Sequence, residues 1–81
     1  MSIYLTSQAQ KELATFSQIE KQKIIKKLRQ LEVNSLSGKR LSGKLRGFYS
    51  LRAWPYRIIY ELIDDHVWIV HIMHRKDVYK N

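Results

Sequence analysis

Arg52 and Arg57 stand on either side of a Trp54-Pro55 break that joins two runs of strand-forming residues, Leu45 to Ala53 and Tyr56 to Ile63. If that break is a two-residue hairpin loop, the pairing sets Arg52 opposite Arg57 and Ser50 opposite Ile59, on one face. A wider loop at Pro55 shifts this register. Like charges so placed repel, at a cost of roughly 0.2–1 kcal/mol. The pair therefore suits either a site that receives an anion or a solvated, exposed face.

The tail HIMHRKDVY supplies His71, His74, Arg75 and Tyr79, the one stretch that combines proton-exchanging groups with a fixed positive charge. A third strand beside the arginine hairpin brings its end near Arg57. Alternation along that strand places His71 and Arg75 on one face and His74 on the other, except where a bulge intervenes. Two histidines three apart on a strand point away from each other and no third ligand is evident, so no metal site and no cofactor are expected. His71 lies in an apolar run and suits a core or hydrogen-bonded role. Tyr79 by itself suits packing, and its interest comes from its neighbours.

The charge distribution points the same way. The chain has 81 residues and a net charge of +8, and residues 35–57 carry six Lys or Arg and no Asp or Glu. An excess of that size on so small a body favours nucleic acid, an acidic protein or an anionic membrane surface. Lys, Arg or Asp interrupts every hydrophobic stretch, so no membrane span and no secretory leader are expected, and a cytoplasmic setting follows. Cysteine is absent, which removes disulfides and thiolate metal sites. The length gives one domain, 1–81. Folding at this size buries only about 60% of the unfolded chain's surface, so stability is marginal.

These residues must be positioned by the rest of the chain. Ser2 to Thr6 has the β-branched and aromatic character of a short strand. Ser7 and Gln10 have the spacing of a capping box, and Ala9, Leu13 and Phe16 recur at helical intervals, predicting a helix over about 8–16. Ser17 and Glu20 repeat the capping pattern. Ile24, Leu28 and Leu31, with Ile25, form an apolar stripe on a second, longer helix that ends near Asn34. Its other side, Lys21 to Arg29, is either a solvated face or a surface for phosphates and ribosomal RNA. Ser35 to Gly43 reads as a loop anchored by Leu36 and Leu41. Three strands follow, Leu45–Ala53, Tyr56–Ile63 and Val67–Met73, with short turns at Trp54-Pro55 and Asp64-Asp65. The predicted order is β-α-α-β-β-β, an α+β fold with an αα-hairpin packed on a small twisted antiparallel sheet. Most of the aromatics Phe48, Tyr49, Tyr56, Tyr60 and Trp68 are needed to fill its core. Trp54, at a turn tip, is the one expected to be exposed and free to stack on a base or a partner.

The αα-hairpin, the stretch LSGKLRGFYSLRAWPYRIIYELIDD and the terminal HRKDVY together resemble the RelE/ParE superfamily of toxins from type II toxin-antitoxin systems, over nearly the whole chain. The resemblance implies two helices on a twisted antiparallel sheet, and one of two activities. RelE-like members are metal-independent endoribonucleases that enter the ribosomal A site and cut mRNA, whereas ParE-like members inhibit DNA gyrase without that chemistry. In the RelE-like pattern, basic residues on the sheet and a Tyr or His near the C-terminus surround the scissile phosphate. Arg52, Arg57, Arg75 and Tyr79 match it. Ser50 departs from it, because the best-known members carry there a Lys able to act as general base. Related toxins use His, which makes His74 the substitute. Lys39, Arg40, Lys44, Arg46 and Trp54 are the residues expected to contact RNA. The resemblance thus implies an mRNA interferase whose partners are mRNA, the ribosome through its 16S/23S rRNA surface, and a cognate acidic or amphipathic antitoxin in a hetero-oligomer. A gyrase-binding toxin and a basic interaction module with a decayed site are the alternatives.

Overall fold

The computed structural model describes residues 2–78. The elements in chain order are β1 (Ile3–Leu5), α1 (Ser7–Ala14), α2 (Gln18–Val33), β2 (Lys39–Arg40), a 3-10 turn (Gly43–Leu45), β3 (Tyr49–Ala53), β4 (Tyr56–Ile63), β5 (His66–His74) and a second 3-10 turn (Arg75–Asp77).

Both helices begin on side-chain caps, one of them a residue earlier than its sequence pattern. The cap of α1 is Thr6 rather than Ser7. Its hydroxyl accepts the Ala9 N–H at 3.2 Å and lies 3.3 Å from the Val70 carbonyl, to which it donates. Thr6 also gives its own N–H to the Ile69 carbonyl at 3.0 Å, so β1 ends and α1 begins on one residue. At α2 the capping box forms as the spacing predicts, with the Glu20 N–H on Ser17 Oγ at 3.2 Å and the Ser17 N–H on Glu20 Oε1 at 3.0 Å. Ile24, Leu28 and Leu31 turn inward, while Ile25 is left outside the buried stripe.

The sheet has five strands in the order β1-β5-β4-β3-β2 and is mixed rather than purely antiparallel, because β1 runs parallel to β5. The cause is parity. The connection through the two helices returns β2 antiparallel to β1, and the three antiparallel pairings from β2 to β5 restore the original direction. Strand β2 was expected to be loop. It is recruited to the edge by pairing Lys39 with Ser50 and Arg40 with Tyr49. Leu41 is buried as an anchor but Leu36 is exposed, and hydrogen bonds to Tyr60 hold the preceding loop in its place. The predicted strand from Leu45 starts only at Tyr49, since Gly43 and Gly47 take positive φ values of 67° and 99° around the first 3-10 turn. Asp64 and Asp65, with φ of 50° and 64°, form the tight turn between the paired residues Ile63 and His66.

Each face of the sheet has its own apolar cluster. Under the helices, Ile24, Leu28, Leu31 and Ala9 pack on Leu51, Ile58, Tyr60, Ile69 and Ile72. On the opposite, helix-free face, Ile59 is buried with Leu41 and with Val78, beyond the second 3-10 turn. No helix among the described residues is long and apolar enough to cross a membrane.

Candidate functional site

Trp54-Pro55 is a two-residue turn with a cis peptide bond, and Ala53 pairs with Tyr56 across it. The register then sets Arg52 opposite Arg57 and Ser50 opposite Ile59, as the two-residue loop requires. Leu51 and Ile58, their neighbours, point into the helix-side core, so alternation puts both arginines on the helix-free face. Lys39 pairs with Ser50 and joins the same face, while Met73, paired with Arg57, borders it. The site is therefore a row of three cations, Lys39, Arg52 and Arg57, beside the apolar floor of Ile59, Leu41 and Val78. Glu61 alternates onto this face as well, but four residues along β4 from Arg57, about 13 Å away. Ser50 lies within the row, 3% exposed, and its hydroxyl has no hydrogen-bond partner among the described residues.

The C-terminal candidates divide. Arg75 leaves the strand, so alternation does not govern it. Its N–H donates to the Pro55 carbonyl at 2.9 Å and its guanidinium lies 4.8 Å from the centre of the Trp54 ring. That fixes Arg75 against the tip of the arginine hairpin. His74 pairs with Tyr56 and sets its ring edge-on to it at 5.9 Å, which places it on the helix side, with the sheet between it and Arg57. Its Nδ1 accepts the Lys76 N–H at 3.1 Å and caps the 3-10 turn. His71 has a hydrogen-bonded role, with Nδ1 3.3 Å from Glu12 Oε2, while Glu12 Oε1 accepts the Ile72 N–H at 2.8 Å. Tyr79 lies outside the described residues. Arg40, paired with Tyr49, faces away from Lys39, and Lys44 and Arg46 are exposed on the connection after β2. Trp54 is 53% exposed. No group of three His, Cys, Asp or Glu among the described residues is arranged to hold a metal.

One contribution escapes the sequence pattern. Lys23 of α2 reaches across to give its ammonium to the Trp54 carbonyl at 2.9 Å, which ties the basic helix to the hairpin tip. The only sequence sign of it was the run of lysines itself. Nearby, the Tyr56 hydroxyl donates to Glu20 Oε2. That bond, ahead of those from Ser17, holds the Glu20 carboxyl below its ordinary range, and the same bond pushes the Tyr56 hydroxyl up.

Residues 3–79 match the ParE toxin family of the type II toxin-antitoxin system parDE. The chain belongs to this family. No curated protein sequence matches it. Among solved structures, this ParE-family toxin is similar to the YoeB–YefM complex from Staphylococcus aureus, at 25% identity and a TM-score of 0.79 over 93% of this chain and 97% of that one. It is also similar in fold to the YoeB/ParE toxin from Agrobacterium tumefaciens, at 15% identity and a TM-score of 0.81 over 93% and 99% of the two chains. The archaeal RelE–RelB complex from Pyrococcus horikoshii gives 20% identity and a TM-score of 0.77 over 91% and 93%. The two-helix, five-strand architecture of this ParE-family chain is thus that of the wider RelE/ParE superfamily.

Proposed function

We propose that this toxin is an mRNA endoribonuclease of the RelE-like kind, acting in the cytoplasm on the ribosome and restrained by a cognate antitoxin. The observation that carries the reading is the cross-strand pair Arg52–Arg57 on the helix-free face, with Lys39 in line and, among the described residues, no carboxylate in a salt bridge with it. Two opposed guanidiniums cost stability in the empty site and gain it when a phosphate lies between them. In the reaction, the 2′-oxygen of the RNA attacks the adjacent phosphorus in line and the bond from phosphorus to the 5′-oxygen breaks. The products are a 2′,3′-cyclic phosphate and a 5′-hydroxyl. The 2′-OH proton passes to a base and another proton goes to the leaving 5′-oxygen. Arg52, Arg57 and Arg75 neutralise the charge that builds on the equatorial oxygens, so the step needs no metal.

His74 and Tyr79 are the candidates for moving those protons. The facing of His74 toward the helices, with Nδ1 already accepting the Lys76 N–H, favours Tyr79. Antitoxins accompany YoeB and RelE in the similar structures, YefM and RelB respectively, which supports a corresponding partner here. The match to the ParE family favours a second reading, a gyrase inhibitor without nuclease chemistry.

Mapping 5′ ends on a reporter mRNA after induction separates the two. Cuts in the reading frame are expected, and Arg57→Ala should lower cutting by about 10²- to 10³-fold with the fold intact. Tyr79→Phe should do the same while His74→Ala retains cutting. Intact mRNA together with blocked supercoiling would establish the gyrase reading instead.

A further inference from the structure

A groove of about 500 Å³ lies between the outer side of α2 and the edge of β3, walled by Lys23, Lys26, Lys27 and Gln30 from the helix and by Arg52 and Trp54 from the hairpin. Strand β2 pairs only with Tyr49 and Ser50, so beyond Ser50 the outer edge of β3 carries no strand among the described residues. Among the described residues, four cations line the groove and no carboxylate does. Lys23, Lys26 and Lys27 fall at i, i+3 and i+4, a spacing that crowds like charge on one helix face and is unfavourable without an anion. Lys23 is held by the Trp54 carbonyl, and the Trp54 ring is steadied by Arg75 while remaining half exposed.

An anchored, exposed indole beside several cations discriminates among anionic ligands. A carboxylate-rich peptide uses the lysines but has nothing to stack on the ring. A single-stranded nucleic acid uses both, its phosphates on the cations and a base on the indole. Arg52 also belongs to the facing arginine pair, so the groove continues that site around the sheet edge. We propose that this groove is a track for single-stranded RNA flanking the scissile phosphate, with a base stacked on Trp54 and backbone phosphates on Lys26 and Lys27, leading the strand to Arg52 and the scissile phosphate. The choice of RNA rests on the nuclease reading above.

The test uses the full chain and a short fluorescein-labelled 2′-O-methyl RNA, which has no free 2′-OH and is not cut. Binding is followed by anisotropy at several salt concentrations, with thermal melts to establish that each variant is folded. Lys26→Gln/Lys27→Gln should weaken binding and reduce the slope of log K against log salt by about 1.4, since each single-strand phosphate contact contributes about 0.7. Trp54→Leu should weaken binding about five- to 150-fold and leave the slope unchanged. Unaltered affinity and slope in the folded lysine variant overturn the proposal. So does polyglutamate bound as tightly as the RNA and indifferent to Trp54→Leu, which would assign the groove to an acidic protein. Cutting is measured separately. A wild-type chain that binds RNA through the groove yet cuts no mRNA refutes the nuclease and leaves the groove standing. A chain that cuts while the lysine variant binds like the wild type refutes the groove alone.

Discussion

Ser50 shows how far single residues could be read from the chain. The alternation of β3 and the two-residue loop were local facts, so the facing of Arg52 and Arg57 and the place of Ser50 beside them were legible in the sequence. Its burial was not. Ser50 pairs with Ile59, which is covered by Leu41 and Val78 from distant parts of the chain, and no local pattern announces that cluster. The consequence is a hydroxyl shut away from water without a hydrogen-bond partner among the described residues. Leaving such a group unsatisfied costs about 1–3 kcal/mol, whereas an apolar group of similar shape avoids the cost. Ser50→Ala should therefore raise stability by about 1 kcal/mol, or roughly 4–8 °C in melting temperature for a domain of this size. A melting temperature that falls would mean the hydroxyl is satisfied in solution. The division of His71, His74 and Arg75 was legible only in part, because the chain leaves the strand at Arg75 and alternation stops there.

At the scale of elements, α2 is joined to the hairpin by the Lys23 ammonium on the Trp54 carbonyl and by a contact that spans 36 residues, the Tyr56 hydroxyl on Glu20. The capping box was legible because Ser17 and Glu20 are neighbours, but the second use of the same carboxylate was not. The loop before β2 gives a parallel case. Tyr60 donates to the Ser35 carbonyl at 2.8 Å and accepts the Gly38 N–H at 3.0 Å, and a Cβ on Gly38 would lie 2.5 Å from that hydroxyl. The sequence marks Gly38 as a loop residue without showing what it must clear. The Glu20 bond also sets a pH dependence. Because the carboxyl is lowered in the folded state, chiefly by Tyr56 and then by Ser17, the unfolded chain takes up its proton first as pH falls. The stabilisation is complete above the ordinary glutamate value, about 4.3, and is lost as pH drops through the lower folded value. Tyr56, raised by the same bond, contributes below the ordinary tyrosine value and loses that contribution as pH rises through its folded value. Denaturant titrations across the acid range should show a shallower loss of stability for Glu20→Gln than for the wild type. Parallel acid limbs in the two proteins would mean that this carboxylate is not linked to folding.

For the molecule as a whole, the α+β class was legible because, after the short first strand, the hydrophobic period is helical up to Asn34 and strand-like after Leu45. The parallel pairing of β1 was not, since its direction follows from counting every reversal, including the one at the two-residue β2. Charge also acts at this scale. The protein carries a net +8 within extents of 31 × 30 × 21 Å. At about 0.01 M salt the Debye length is about 30 Å, so each charge feels nearly all the others, whereas at about 0.1 M it is about 10 Å and only neighbours interact. The excess is of one sign, and self-repulsion of that kind disfavours the compact state. Exposed ion pairs, which salt weakens, contribute little each, so the repulsion should dominate. Raising potassium chloride from about 0.01 M to about 0.1 M should therefore stabilise the free protein by on the order of 1 kcal/mol, about 4–8 °C in melting temperature, with most of the rise complete once the Debye length is shorter than the molecule. The Arg57→Ala chain, with one charge fewer and its facing pair relieved, should gain less from the same salt. A melting temperature that falls with salt in the wild type would show that attractive pairs outweigh the cationic excess, and would remove the argument that the basic surfaces are held ready for an anionic polymer at a cost to the fold.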